Sequence, residues 1–245
     1  MKVSALTPDQ WNTLKQYRLN KDPLPAYQGI QVSSFFQEDE MERFLTDRLK
    51  SMGTDNRMVA ASLFMKRYAF VAAMGLYSMT YWNRKLNLAP DNLIMVDGEK
   101  NGLWIPQFYL KDSTVYEFTS PEEKQTYIKS LFSDHLNKIM DSLKKPAKLI
   151  LWENIAVYIF WVYENDDFLP NEEMRGKREE DFRQLLLDEN SHWFGQYHRN
   201  PLSRYYSPKK NEELRVRKTC CFSYRLENGE QYRCKTCPQT CRVKS

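Results

Sequence analysis

The chain has 245 residues, of which 42% are hydrophobic and 28% charged, and it carries a formal net charge of +4. This length and apolar content are sufficient for a sizeable buried core. Only 8 residues are glycine, and the sequence contains neither G-x-G-x-x-G nor G-x-x-x-x-G-K. The sequence thus excludes a nucleotide site built on a Rossmann or P-loop motif.

The first third of the chain is predicted to be mainly helical. Residues 7–10 (Thr-Pro-Asp-Gln) form a capping-box pattern with proline at the first helical position. Residues 39–52 have the spacing of an amphipathic helix, and Gly53 is expected to end it. A long helix is expected from Asp55 to near Trp82, because apolar residues recur there at helical spacing.

The pattern changes in the middle of the chain. Residues 93–117 form short apolar runs broken by turn residues, which predicts a small antiparallel β-meander. Helices are then expected at 120–144, at 146–163 and around 171–187. The second of these is apolar almost all round and is therefore expected to lie in the core.

No membrane span or targeting segment is predicted. The best apolar stretch, Leu149–Tyr163, contains Glu153 and Asn154 and is too short to cross a bilayer. The N-terminal residues have no apolar signal-peptide core. We therefore expect a cytoplasmic protein that does not span a membrane.

All five cysteines lie after residue 219. An adjacent pair, Cys220-Cys221, is followed after twelve residues by the C-x-x-C motif Cys234-Lys-Thr-Cys237. Isolated cysteines are usually small buried hydrophobes, whereas clustered cysteines of this kind normally hold a metal or form disulfides. The fifth, Cys241, is expected to be a spare, partly exposed thiol outside the site.

A hairpin is predicted between the pair and the C-x-x-C motif. The spacer is centred on Asn228-Gly229, a strong type I′ turn signal in which Gly229 would adopt a left-handed conformation. In the register that this turn sets, Cys220 faces Cys237 and Tyr224 faces Arg233. Both cysteine motifs then lie at one end of the hairpin, within reach of a single metal centre.

The spacing favours an iron–sulfur cluster over zinc but leaves both open. Zinc sites with four cysteines usually take two C-x-x-C-like knuckles, and adjacent side chains of an extended chain point to opposite faces. A [2Fe–2S] cluster is a larger target that thiolates can approach from more directions. Disulfides or free thiols are disfavoured by the odd number of cysteines and the missing signal peptide. Iron ligation by His192 or His198 is a minor alternative, and His135 is expected to be a surface or boundary residue of its helix.

Two C-terminal runs resemble the signature of the FhuF-like ferric siderophore reductases: Arg217-Lys-Thr-Cys-Cys-Phe-Ser-Tyr-Arg-Leu226 and Tyr232-Arg-Cys-Lys-Thr-Cys-Pro238. Residues 61–70 and 151–158 are similar to helical segments of that family. The spacer between the cysteine motifs departs from the family pattern by two extra residues. In the predicted register these residues lengthen the hairpin by one rung and leave the cysteines in place.

The resemblance implies a reductase that passes one electron from a [2Fe–2S] cluster to siderophore-bound Fe(III). It implies that Cys220, Cys221, Cys234 and Cys237 hold the cluster and that the helical part binds a hydroxamate or citrate-hydroxamate chelate. The electrons would come from an external donor such as a ferredoxin or a flavoprotein reductase. Two alternatives stay open: a zinc-ribbon module for nucleic acid or protein, and a siderophore-binding protein without redox activity.

The predicted organisation is α+β, with a predominantly α-helical body, a small antiparallel meander and a cysteine-bearing C-terminal hairpin. We expect residues 1–206 to form the siderophore-binding body and residues 207–245 the cluster segment. From Lys209 to Ser245 there are ten Lys or Arg against four Glu. This positive charge would offset that of a thiolate-ligated cluster and attract anionic substrates rather than nucleic acid.

Aromatic and basic side chains of the helices are candidates for the chelate site, although aromatic stripes are more often core. The substrate-binding candidates are Lys66, Arg67, Trp82, Trp104 and Trp152. A wider set adds Tyr77, Tyr81, Arg84, Trp161 and Tyr163.

Overall fold

The computed structural model describes residues 2–21, 29–169, 171–209, 214–227, 229 and 233–241. We call residues 2–209 the helical body and residues 214–241 the cysteine segment. The α-helices are α1 (Pro8–Gln16), α2 (Glu38–Asp47), α3 (Arg57–Trp82), α4 (Pro121–Leu131), α5 (Asn137–Ser142), α6 (Lys148–Glu164), α7 (Glu172–Leu186) and α8 (Pro238–Cys241).

The centre of the body is the packed pair α3 and α6. Nearly every residue of α3 from Val59 to Tyr81 is buried, and small side chains let its neighbours approach closely. At Gly75, for example, a Cβ atom would lie 2.8 Å from Leu88 Cδ1 and 3.0 Å from Leu131 Cδ1. The helix begins where the side chain of Asn56 accepts the backbone N–H groups of the first turn, as an N-cap residue does.

By length and composition, α3 is long and apolar enough to cross a membrane. The sequence had instead indicated Leu149–Tyr163 as the most apolar stretch. In this structure, 83% of the most apolar window of α3 is buried inside the protein. Burial on all sides explains the composition, since a helix in the middle of a core has no polar face.

Three small sheets lie beside the helices. The strands are β1 (Lys2–Ser4), β2 (Leu19–Asn20), β3 (Ile30–Gln31), β4 (Arg84–Leu86), β5 (Leu93–Val96), β6 (Glu99–Lys100), β7 (Leu103–Trp104), β8 (Gln107–Leu110) and β9 (Val115–Glu117). Their order is β1-β9-β4, β2-β8-β5-β3 and β6-β7. The antiparallel pairs β5–β8 and β6–β7 lie where the meander was predicted, whereas β9 leaves it to pair with β1 and β4.

Several element boundaries differ from the sequence prediction. Helix α2 ends at Asp47, and turns lead from there to Gly53, whose φ of 70° is left-handed. Asn56, not Asp55, caps α3. The helix expected over 120–144 is divided by one π-helical turn, Phe132–Leu136.

His135 is buried in that π-helical turn, so its prediction as a surface or boundary residue was wrong. Its ring lies 2.5 Å from the hydroxyl of Tyr68, and burial lowers its pKa to about 3. A neutral imidazole with a tyrosine partner is compatible with the core, which explains why a polar residue occupies this position.

The predicted C-terminal hairpin is not formed by the described residues between 217 and 241. Phe222 has a left-handed backbone with φ 62°, and Ser223–Arg225 forms one 3-10 turn. Gly229 does not have the expected positive φ. It lies so close to Tyr224 that a Cβ atom would be 2.5 Å from the carbonyl carbon of that residue. Asn228 is outside the described residues. The predicted neighbours Tyr224 and Arg233 do meet, with the guanidinium 4.8 Å from the ring centroid.

Candidate metal centre

The adjacent cysteine pair is anchored on one face of α3. Ser62 Oγ donates to the carbonyl oxygen of Cys221 at 2.9 Å. One turn further along, Lys66 Nζ lies 3.9 Å from Cys221 Sγ and 3.4 Å from Ser223 Oγ. Cys221 Sγ is in turn 3.2 Å from Ser223 Oγ, and the residue is only 4% exposed. A buried thiol thus lies beside a lysine ammonium.

Glu153 of α6 fixes the chain immediately before the pair. Its carboxylate accepts the backbone N–H groups of Lys218 and Thr219, both at 2.6 Å, and the hydroxyl of Thr219. Arg217 Nε lies 3.8 Å from the same carboxylate. Glu153 and Arg217 are 2% and 3% exposed, so this is a buried ion pair reinforced by backbone donors.

Asn154, the next residue of α6, connects both anchors. Its side-chain amide donates to the carbonyl and hydroxyl oxygens of Ser62, each at 3.0 Å. Its Oδ1 accepts from the guanidinium of Arg217 at 2.6 Å. One hydrogen-bonded path therefore runs from α3 through α6 into the cysteine segment.

The C-x-x-C motif is brought against the pair by backbone contacts. Arg217 N–H donates to the carbonyl of Thr236 at 3.0 Å, and Cys237 N–H donates to Cys234 at 2.9 Å. Cys237 is 3% exposed. Cys241 lies one turn beyond, at the end of α8, where its thiol contacts the carbonyl of Lys235 at 3.2 Å.

The four thiols lie close enough together for their pKa values to depend on one another. A hydrogen bond with Cys234 lowers the pKa of Cys221 to about 4, with Lys66 and Arg217 assisting against burial. The same hydrogen bond raises the pKa of Cys234. Burial raises the pKa of Cys220, and the thiols of Cys221 and Cys237 raise it further.

At Cys237 the effects oppose one another. Burial is the largest single effect and raises the thiol pKa. Hydrogen bonds from the backbone N–H groups of Gln239 and Thr240, together with side-chain contacts, outweigh it, so the pKa is lowered. Thiolates are soft ligands suited to iron–sulfur clusters, and this donor set therefore fits such a group chemically. Within the described ranges, no three His, Cys, Asp or Glu side chains are arranged to hold a single metal ion.

Residues 217–239 match the family model of the FhuF 2Fe-2S C-terminal domain. The matched range contains Cys220, Cys221, Cys234 and Cys237 and ends before Cys241. The cysteine segment is thus similar to an iron–sulfur domain, and the match supports an FhuF-like family with a C-terminal cysteine motif. The match supports a [2Fe–2S] cluster as the cofactor. No curated protein matches the chain.

A cavity of 400 Å³ opens beside the cysteine segment. Val157, Phe160 and Trp161 of α6 form its apolar wall, and Arg217 and Thr236 contribute the side nearest the cysteines. Lys209, Glu164 and Arg215 also line it. The carboxylate of Glu164 accepts two hydrogen bonds from Arg215, each at 2.8 Å.

The structure separates the predicted substrate residues. Lys66 lies at the cysteine site, and Arg67 follows it on α3. Trp82 is half-buried at the end of α3, with its ring 4.9 Å from that of Tyr77. Trp104 and Trp152 belong to the core. Their indole N–H groups donate to Asp97 and Tyr197 at 2.8 and 3.0 Å, which leaves them no free polar edge for a ligand.

The wider set is divided in the same way. Tyr77, Tyr81 and Tyr163 are buried. Arg84 is 3.5 Å from the carboxylate of Glu117, on the β4–β9 pair. Trp161 is half-buried and lines the cavity.

Sequence reasoning missed the residues that hold the cysteine segment: Ser62, Glu153, Asn154 and Arg217. A signal was present, because Glu153 and Asn154 are adjacent polar residues in a helix that is otherwise apolar. Buried polar groups require partners, and such a pair in a core helix indicates that another segment docks there.

Proposed function

We propose that this chain is a ferric siderophore reductase. The observation that carries the proposal is the cysteine set of an FhuF-type 2Fe-2S domain, held beside Lys66 and next to a cavity with an aromatic wall and cationic side chains. Cys220, Cys221, Cys234 and Cys237 would hold the cluster. Residues 207–245 would then form the redox segment, and residues 1–206 the chelate-binding body.

A [2Fe–2S] cluster held by these four cysteines would supply one-electron chemistry between a donor protein and siderophore-bound Fe(III). The substrate is the chelated iron. Siderophore oxygens suit hard Fe(III), and Fe(II) prefers softer ligands and is released more readily. No general base or covalent nucleophile is needed, so the task of the protein is to position the chelate and adjust the charge around the cysteines.

Lys66 and Arg217 perform that second task. Lys66 lies beside Cys221 Sγ, and the buried Arg217 is fixed by Glu153 and Asn154. Their positive charges favour the reduced, more negative state of a thiolate-ligated cluster. The cavity beside α6 is the proposed docking place for a hydroxamate or citrate-hydroxamate chelate. A ferredoxin or flavoprotein reductase of the cytoplasm would deliver the electron.

The test uses protein purified without oxygen. We expect the visible absorption of a [2Fe–2S] protein, which bleaches on chemical reduction. Adding a ferric siderophore should restore the oxidised spectrum, and a chelator specific for Fe(II) should trap one Fe(II) per cluster reoxidised. The Cys241→Ser variant is the matched control and should behave like the unmodified protein.

A cluster that stays reduced in the presence of several chemically distinct ferric siderophores would refute the reductase function. The charge of the cysteine segment further predicts that anionic ferric siderophores react faster than cationic ones. Added salt should narrow the difference, because exposed charges are screened over about 8–10 Å at moderate ionic strength. Equal rates at low salt would refute only this steering effect.

A further inference from the structure

Arg18 occupies an unusual position for a charged residue. It follows α1, is only 8% exposed, and has a left-handed backbone with φ 74°. Its backbone N–H donates to Lys15 at 2.9 Å, and its carbonyl accepts from Phe108 of β8 at 2.8 Å. Left-handed conformations are uncommon for residues other than glycine and persist where the surroundings hold them. The fold therefore fixes the direction in which this side chain leaves the backbone.

Within the residues that the structure describes, no acidic side chain pairs with the guanidinium of Arg18. It lies over the ring of Phe70, 4.0 Å from the centroid, and its buried Nη1 has no hydrogen-bond partner. Arg67 Nε is also buried and without a partner. Neither arginine forms an ion pair with any residue that the structure describes. We call Arg18 and Arg67 the arginine pair.

The two cations are close enough to affect each other. Burial and the charge of Arg67 lower the pKa of Arg18 to about 10, so the Arg18 side chain stays charged at neutral pH. Two like charges with unsatisfied N–H groups are costly, and the contact with Phe70 compensates only part of that cost. An anion would satisfy both, since the planar guanidinium matches a carboxylate geometrically.

Packed aromatic rings connect the arginine pair to the wall of the proposed chelate site. Phe70 packs against Tyr158 of α6 at 4.3 Å between ring centroids, and Tyr17 packs against Trp161 at 5.1 Å. Trp161 also lines the cavity beside the cysteine segment. Arg67 directly follows Lys66, which contacts Cys221. Ser62, which anchors Cys221, and Arg67 are about 7.5 Å apart along the axis of α3. The arginine pair therefore lies little more than one helical turn from the anchor of the cysteine pair.

We propose that the arginine pair binds a carboxylate of the ferric chelate, so that the protein selects carboxylate-bearing citrate-hydroxamate chelates over uncharged trihydroxamate chelates. This inference rests on the proposed reductase function and adds its substrate class. Small chelates suit the position because Arg18 is too deeply buried for the flat surface of an acidic protein to reach it.

The test measures binding without electron transfer. Ga(III) has the charge and ligand preference of Fe(III) but is not reduced under these conditions, so Ga(III) complexes report affinity alone. The affinity of the cluster-loaded protein for a Ga(III) citrate-hydroxamate complex is measured by calorimetric titration. Arg67→Gln should bind this complex at least about tenfold more weakly than the unmodified protein, as expected for loss of a charge-assisted hydrogen bond. The affinity for a neutral Ga(III) trihydroxamate complex should fall by less than about twofold in the same variant.

Two further variants complete the design. Arg183→Gln removes the same charge from an exposed pair with Glu180 on α7 and should leave both affinities unchanged. Arg18→Lys keeps the charge but not the bidentate geometry and should weaken only the carboxylate-bearing complex. Thermal melting of each variant verifies that the helical body is folded.

Unchanged affinity in folded Arg67→Gln would overturn the proposal, as would an equal loss in Arg183→Gln. Loss of binding to an acidic donor protein, with chelate binding intact, would also overturn it and assign the surface to that donor. If the subsite fails while ferric chelates still reoxidise the cluster, the reductase function stands. If no ferric chelate reoxidises the cluster, the reductase function fails, and the Ga(III) titrations still decide whether the arginine pair binds the anion.

Discussion

The helical body and the cysteine segment are held in place by different forces. In the body, α3 and α6 bury apolar residues along almost their whole length. In the cysteine segment, the regular elements described are short, such as the 3-10 turn Ser223–Arg225 and the four-residue α8. The segment is attached mainly through polar contacts with Ser62, Glu153 and Asn154. Among its described residues, Leu226 belongs to the apolar core cluster and the partly buried Phe222 packs against that cluster.

This difference determines how each region should respond to substitution. Apolar burial is spread over many side chains, so a substitution at one position lowers the free energy of unfolding only in proportion to the apolar surface it removes. A buried polar network depends on every partner, because removing one member leaves the others unsatisfied. We therefore expect single substitutions in the network to release the cysteine segment while the helical body stays folded.

The largest effect is expected at the cysteines. Cys221→Ser should abolish or strongly alter the cluster, because a hydroxyl is a much poorer iron ligand than a thiolate. Serine at position 220, 234 or 237 should act similarly, whereas Cys241→Ser should keep the cluster. Iron and sulfide content and the visible spectrum measure the outcome. Near-normal iron content in Cys221→Ser would refute the four-cysteine assignment.

Glu153→Gln should have the next largest effect. The substitution leaves the buried Arg217 without its carboxylate and places an amide NH₂ near the N–H groups of Lys218 and Thr219. Breaking such a buried pair typically costs about 3–5 kcal/mol. Cluster occupancy should fall, and hydrogen exchange should rise at residues 217–219, with the helical circular dichroism retained.

The matched control is Glu180→Gln, which removes an exposed ion pair with Arg183 from the body and should change neither quantity. Global loss of helix in Glu153→Gln would contradict the separation of the two regions. Normal cluster occupancy would contradict the importance of the network.

Substitutions of two glycines should change stability less than Glu153→Gln does, and in opposite directions. In Gly229→Ala the new Cβ would lie 2.5 Å from the carbonyl carbon of Tyr224 and should destabilise the segment by about 1–3 kcal/mol. Gly176 of α7 has nothing within 4 Å of an added Cβ, so Gly176→Ala should stabilise the body by roughly 0.5–1 kcal/mol. Chemical denaturation followed by fluorescence, together with iron content, compares them. Equal behaviour of the two variants would contradict the close approach at Gly229.

The smallest effect concerns the cluster potential. Lys66→Gln should lower the midpoint potential by tens of millivolts, because the ammonium beside Cys221 Sγ favours the more negative reduced state. Lys66→Arg should preserve most of the potential, and Lys129→Gln, on the exposed face of α4, should not shift it. Redox titration provides the measurement. An unchanged potential in Lys66→Gln would show that solvent screens this contact.

The sequence by itself determined the features that depend on local patterns. Residues 7–10 form the predicted capping box with Thr7 as N-cap, and the apolar stretch after Pro146 forms the buried helix α6. The α+β class and the cysteine motif could also be recognised from sequence, since periodicity and spacing are properties of a short window.

Only the tertiary structure decided which contacts form between segments that are distant in sequence. The turn signal at Asn228-Gly229 predicted a hairpin, but Gly229 instead packs against Tyr224, and the segment takes its shape from Ser62, Glu153 and Asn154 of the body. Trp104 and Trp152, which were candidates for the chelate site, fill the core, and Arg18 and Arg67 come together without an acid from the described part of the chain. The physical reason is that a polar or aromatic side chain has no fixed role in sequence. Its role depends on which partners the fold brings within hydrogen-bonding or packing distance, and these lie 65 residues away for Glu153 and Lys218.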